Sequence, residues 1–142
     1  MTAISPAAPK WHAVSDDPRD PVSRLCQLLD DGSVYLRRCE RGERVAIAEG
    51  RINGSPVVAY CTDATSSGGA MGYAGCREIA AAIDLAAGSG RPVIGIWHCS
   101  GASLAEGMRA LDGVGEVFAA MIRASGRVPQ ISVIVGPAAG GA

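Results

Sequence analysis

The sequence predicts an α/β domain whose core sheet is parallel, and three observations carry that prediction. Apolar runs short enough to be strands alternate with longer segments of helical periodicity, in the order β-α-β-α-β. Each of those strands runs directly into a glycine-rich turn. The composition also suits closely packed helix-on-sheet layers, with 19 glycines and 4% aromatic residues, so Ala, Val and Ile carry most of the apolar load. At 142 residues, 48% apolar and 19% charged, the chain has material for one hydrophobic core.

Taken in order, residues 1–20 are rich in Pro, Ala and Asp without periodicity and read as a flexible arm. Asp20 followed by Pro21 is an N-cap with proline at the first helical position. Val22, Leu25, Leu28 and Leu29 then follow at helical spacing up to Asp31-Gly32. Ser33–Arg37 reads as a strand and Glu40–Glu43 as a charged turn. Arg44–Ile52 and Val57–Thr62 flank Asn53-Gly54, the dipeptide that tolerates the positive φ angles of a tight hairpin. Strand 57–62 leads into Ser66-Ser67-Gly68-Gly69-Ala70-Met71-Gly72, and Ile79, Ala80, Ile83 and Ala87 mark a helical face ending near Gly88–Gly90. The second strand, residues 92–97, enters a small-residue turn at His98–Ala102. A long helix follows, with Leu104, Met108, Leu111, Val117, Phe118, Met121 and Ile122 as its apolar positions, and Gly113 and Gly115 either interrupting it or allowing close packing. The third strand is Ile131–Val135.

Near-continuous apolar strands joined by helices imply parallel pairing through right-handed crossovers. The turns at Gly68-Gly69, Gly101 and Gly140-Gly141 then share the sheet edge where α/β proteins bind ligands. Glycine there lets a substrate oxygen reach backbone N–H donors; each turn taken alone is equally a packing or turn device.

The charge of −1 excludes an electrostatic footprint for nucleic acid or an acidic membrane. Lys10 is the one lysine among 13 basic residues, so no lysine-dependent phosphate loop is present and anion recognition rests on Arg and backbone amides. Five scattered cysteines without a Cys-x-x-Cys pair read as reduced thiols in a cytoplasmic protein, with no metal expected. Met1 to Trp11 lacks the apolar run of a signal peptide, and Asp84 and Gly136-Pro137 break the later apolar stretches.

Four segments, Asp63 to Gly72, Pro92 to Gly107, Ala124 to Val133 and Gly136 to Ala142, resemble in order and spacing the carboxyltransferase (beta) subunits of biotin-dependent acetyl-CoA and propionyl-CoA carboxylases; residues 16–33 resemble their opening helix and strand. The resemblance implies a partial crotonase-like (ClpP/crotonase) fold of repeated β-β-α turns. Residues 21–142 would be the first, incomplete part of the N-terminal acyl-CoA carboxyltransferase domain, followed by a second crotonase-like half. It further implies acyl-CoA as substrate, biotin on a separate carrier protein, a biotin carboxylase partner and an oligomeric assembly. Carboxyl transfer to the α-carbon would give malonyl-CoA or methylmalonyl-CoA, with biotin itself taking the α-proton. By position, Gly140 and Gly141 match the oxyanion turn, Gly101 and Ala102 the turn lining the acyl-thioester site, and Gly68 and Gly69 a substrate-binding turn.

The chain departs from the family pattern where Ser-Gly-Gly-Ala-Arg is usual. Here Cys99-Ser100-Gly101-Ala102-Ser103 puts a side chain at 100, which narrows the approach to the amides, and removes the arginine's charge at 103. Two other functions fit the same turns: a stand-alone crotonase-like hydratase or decarboxylase, and a non-catalytic acyl-CoA-binding or assembly domain. Among individual residues, His98 either donates to a ligand or fills space beside Trp97. His12 is incidental, Cys99 reads as a small buried thiol, and Glu106 as a helix cap.

Overall fold

A computed structural model describes residues 15–37 and 44–140. The N-terminal stretch 1–14, Cys39 with the turn at Glu40–Glu43, and Gly141 and Ala142 lie outside them. The elements run α1 (Pro21–Leu28), β1 (Tyr35–Leu36), β2 (Val45–Ile52), β3 (Ser55–Thr62), α2 (Tyr73–Ser89), β4 (Val93–Cys99), α3 (Met108–Ala124) and β5 (Gln130–Ala138). Short 3-10 turns lie at Ser67–Gly69 and Leu104–Glu106.

The five strands form one sheet in sequence order. β1, β2 and β3 pair antiparallel, and β3, β4 and β5 pair parallel. The expected parallel core is therefore present. The hairpin turns on Asn53 at φ 48° and Gly54 at φ 80°, the left-handed pair that a two-residue connection needs. The strand expected over Ser33–Arg37 contracts to two residues, and β3 starts at Ser55, earlier than Val57.

Alternation along the strands divides the core in two. Val58, Tyr60, Val93 and Trp97 face α2 and α3, whereas Val57, Ala59, Cys61, Ile94 and Ile96 face α1. α1 is fixed by Val22, Leu25 and Leu29, all buried, each contributing about 1.5–3 kcal/mol of apolar transfer. Its first turn is held by Asp20, whose carboxylate accepts the Ser23 N–H at 2.7 Å. Residues 15–20, assigned to a flexible arm from composition, instead form an ordered turn. Asp20 is buried, Asp17 pairs with Arg19 at 2.8 Å, and the Ser23 hydroxyl bonds the Ser15 carbonyl.

α3 corrects the sequence reading in a different way. It runs unbroken through Gly113 and Gly115, and Leu104 precedes it in a 3-10 turn. The face it buries is small: Ala110, Gly113, Val114, Val117, Ala120 and Ala124. A Cβ at Gly113 would stand 2.9 Å from the Cys76 Cβ and 3.0 Å from the Tyr73 Cα, so glycine sets how closely α3 lies on α2. Of the large residues assigned to the apolar face, Val117 is buried and Met121 partly so, while Leu104, Met108, Leu111, Phe118 and Ile122 are exposed.

Gly95 on β4 makes room for an aromatic pair. The Tyr60 and Trp97 rings meet edge to face at 5.5 Å, and a Cβ at Gly95 would lie 2.5 Å from the Tyr60 Cζ and hydroxyl oxygen. Tyr60 is buried on every side and its ring has no free volume to enter. Gly95→Ala is therefore expected to cost about 1–3 kcal/mol, read as a melting temperature several degrees lower. An unchanged melting temperature would show that the ring has space to move.

Candidate functional site

The parallel strands deliver their C-terminal ends to one edge, and side-chain and backbone bonds carry that order into the turns. Thr62 ends β3 fully buried. Its hydroxyl donates to the His98 carbonyl at 3.1 Å and its Oγ1 accepts the His98 N–H at 3.0 Å, so the hydroxyl pins β3 to β4 past their last paired residues. The same His98 carbonyl walls the next turn. A Cβ at Gly69, where φ is 77°, would overlap its oxygen, so no other residue fits there.

The Gly68-Gly69 and Gly101-Ala102 turns are stitched together by the backbone. Ser100 N–H bonds the Gly68 carbonyl at 3.0 Å, Met71 N–H the Gly101 carbonyl at 2.9 Å, and Ser103 N–H the Met71 carbonyl at 2.7 Å. The third turn joins through the Ala139 N–H on the Cys99 carbonyl at 3.1 Å, and a Cβ at Gly140 would be 4.0 Å from the Gly101 Cα. Gly68, Gly69, Gly101, Ala102 and Gly140 thus converge as the sequence suggested; Gly141 lies outside the described residues.

The amides in this cluster are not equivalent. Gly101 N–H is taken by the Cys99 sulfur at 3.3 Å, and both residues are buried. Cys99 thereby works as a turn-forming side chain that bonds the peptide two residues on. The N–H groups of Ala102 and Gly140 bond no acceptor among the described residues, and Gly140, at φ 66°, is exposed. Two adjacent turns therefore each present one uncommitted amide. The Ser100 hydroxyl donates to the Ser67 carbonyl at 3.2 Å, which draws the extra side chain over the Gly68 turn.

Side chains near the edge are engaged elsewhere. Glu106 does cap a helix, but it is α2: its Oε2 accepts the Tyr73 N–H at 2.8 Å, and Gly72 leaves the space its Oε1 fills. The His98 ring does not lie beside Trp97. It faces α1, with Nδ1 3.4 Å from the Arg24 Nη2, and occupies the notch left by Gly136, where a Cβ would stand 2.5 Å from Nδ1. Sequence reasoning missed Thr62, Arg24 and the Gly72–Glu106 fit. A threonine ending an apolar run and a glycine before a helix are too common to signal these contacts.

With the edge assembled, the family comparison is informative. The carboxyl transferase domain family matches residues 31–142. The chain belongs to that family. Among curated relatives, it is 55% identical over 135 residues to the biotin-dependent acetyl-/propionyl-coenzyme A carboxylase beta6 subunit of Mycobacterium tuberculosis, an alignment covering 95% of this chain and 28% of that subunit. Among solved structures it resembles transcarboxylase 12S, with a TM-score of 0.81 and 32% identity over 86% of this chain and 27% of the other. It also resembles one chain of the Pseudomonas malonate decarboxylase hetero-dimer, with a TM-score of 0.74 and 28% identity, covering 83% of this chain and 53% of that one. The fold is accordingly the crotonase-like one of carboxyltransferases, and the chain spans under a third of the beta6 subunit.

Among the described residues, no group of three or more His, Cys, Asp or Glu side chains is placed to hold a metal ion, and no helix is long and apolar enough to cross a membrane. Burial pushes the Cys61 thiol up to about 12 and the Cys76 thiol up to about 11, and it raises the Tyr60 hydroxyl too. In the folded chain these groups stay protonated while unfolded thiols ionise near the ordinary value of 9.0. Their contribution to stability is thus complete below about pH 8 and is lost as pH rises from 9 toward 11. Denaturant midpoints measured from pH 7 to 11 should fall through that window. Midpoints constant to pH 11 would mean the thiols are hydrated in the fold.

Proposed function

We propose that this chain is the acyl-CoA-binding first part of a carboxyltransferase subunit of a biotin-dependent acyl-CoA carboxylase, with residues 21–142 opening its N-terminal domain. The observation that carries the reading is the pair of uncommitted amides, Ala102 and Gly140, on neighbouring turns at the C-terminal edge of the parallel strands. A thioester carbonyl placed between them would gain two N–H donors as its α-carbon loses a proton. Donors of this kind contribute about 2.7–4 kcal/mol each when held rigidly. Gly141, the other oxyanion residue implied by the family pattern, would extend the same turn. Gly68, Gly69 and Gly101 serve as the scaffold: Gly101 uses its own N–H and carbonyl to set the peptide that bears the Ala102 amide.

Carboxybiotin on a separate carrier protein would supply both CO₂ and the proton acceptor. The cavity of about 270 Å³ between α2 and α3 does not suit the biotin ring, because ion pairs Arg77–Glu116 and Arg123–Asp84 line it and no turn residue does. Biotin is therefore assigned to the remaining carboxyltransferase half, and the chain's role is to hold and polarise the acyl thioester. The site would then complete itself only in a larger assembly with carrier, carboxylase and second half, a cytoplasmic enzyme by the cysteine usage.

The same geometry weighs against a stand-alone hydratase, which needs an acidic or basic side chain over the thioester. Glu106 is spent on the α2 cap and the His98 ring is turned toward Arg24 and Gly136. Carboxyl transfer needs no side-chain base in this scheme.

The test pairs the chain with a separately expressed polypeptide carrying the rest of a carboxyltransferase subunit, carboxylated carrier protein and propionyl-CoA. Methylmalonyl-CoA should form in the mixture and not with the chain alone. Gly140→Ala, which strains φ 66° and displaces the amide, should lower kcat about 10²–10³-fold with little change in KM. Full activity in that variant, or turnover by the chain alone, would contradict the assignment.

A further inference from the structure

We infer that the exposed stripe of α3 is a docking surface for an amphipathic helix of a second carboxyltransferase unit, an inference that rests on the reading above. Leu104, Met108, Leu111, Gly115, Phe118 and Ile122 follow one another at spacings of 4, 3, 4, 3 and 4, the seam of a helix that packs along another helix. The large residues are open to solvent: Leu104 is 97% exposed, Met108 83%, Leu111 60%, Phe118 46% and Ile122 74%. With roughly 200 Å² available on each large side chain, they offer on the order of 700 Å². That exceeds the few hundred Å² of an ordinary apolar surface patch and approaches the ~800 Å² each partner buries in a standard interface.

The face beside the seam is already satisfied by α2. Arg109 stacks on Tyr73 at 4.9 Å, Glu116 accepts the Tyr73 hydroxyl at 3.0 Å and lies 3.8 Å from Arg77, and Arg123 pairs with Asp84 at 2.8 Å. What remains outward is apolar and shaped for a helix, with Gly115 allowing a close crossing at mid-seam.

Two observations favour a complementary unit over a second copy. An antiparallel pair of α3 helices would bring Asp112, which flanks the seam, against its own symmetry mate. The chain also spans 28% of a carboxylase beta subunit, and it resembles a chain that is half of a malonate decarboxylase hetero-dimer. A unit of this fold acting beside another is thus already represented among its neighbours.

The experiment uses the full 142-residue chain and, as partner, the remaining sequence of the mycobacterial beta6 subunit expressed separately. Sedimentation should show a one-to-one complex. Leu111→Glu and Ile122→Glu should each weaken it at least tenfold while leaving circular dichroism unchanged, because both positions are exposed. Ala81→Glu, on the outer surface of α2, should leave it intact. Three outcomes overturn the inference: no complex, a complex indifferent to both seam variants, or seam variants that dissolve a self-associated form of this chain instead. Calorimetry with propionyl-CoA on the wild type and on Leu111→Glu separates the two readings. Complex formation without acyl-CoA binding would remove the proposed function and leave the seam standing. Equal acyl-CoA binding by both proteins, with no complex, would do the reverse.

Discussion

The buried Thr62 hydroxyl holds the ligand edge of this fold together. β3 and β4 stop pairing at Cys61 and Ile96, and beyond that point the chain must leave the sheet in two directions while keeping its turns in contact. Thr62 extends the ladder by side chain, donating to and accepting from the His98 peptide. That fixes the His98 carbonyl against Gly69, which fixes the Gly68 carbonyl for Ser100, which sets the entry to Gly101. An amide that must meet developing charge has to be held before the charge appears, and this chain of contacts supplies that rigidity without any side chain entering the site.

The second half of the device is the pair Gly72 and Glu106. The carboxylate reaches from the 3-10 turn after Ser103 to the N-terminus of α2, where the helix dipole favours negative charge. One contact therefore caps α2 and anchors the segment that follows Ala102. Together with the Met71–Ala102 bridge it clamps the acyl turn from both sides. The charge that might have served as a general base is thus used to position a backbone, in keeping with a reaction whose base is brought by another protein.

Much of this was legible in the sequence, for identifiable reasons. Asn53-Gly54, Asp20-Pro21 and the glycine after each apolar run are local signals, and local chemistry decides them. The parallel core followed from strands apolar on both faces. Reading failed where the outcome depends on partners distant in sequence. In α3 the large apolar residues looked like the core face, yet the helix lies so near α2 that Ala110, Gly113 and Ala120 fill the contact and Leu111 and Ile122 are left outside. Gly101 was read as an amide donor to substrate, but its N–H is bound by Cys99, a role the departure from the family's serine preserves. His98 was placed near Trp97 by adjacency, although alternation along β4 sends the two to opposite faces.

The central claim is that Ala102 and Gly140, rather than Gly101, offer their amides to the acyl thioester. A ¹⁵N-labelled chain titrated with propionyl-CoA tests it directly by amide chemical shifts. The account predicts the largest perturbations at Ala102 and Gly140, with the Gly101 amide, bonded to the Cys99 sulfur, moving little. Perturbations confined to the α2–α3 groove around Arg77 and Arg123, with the glycine turns unmoved, would contradict it.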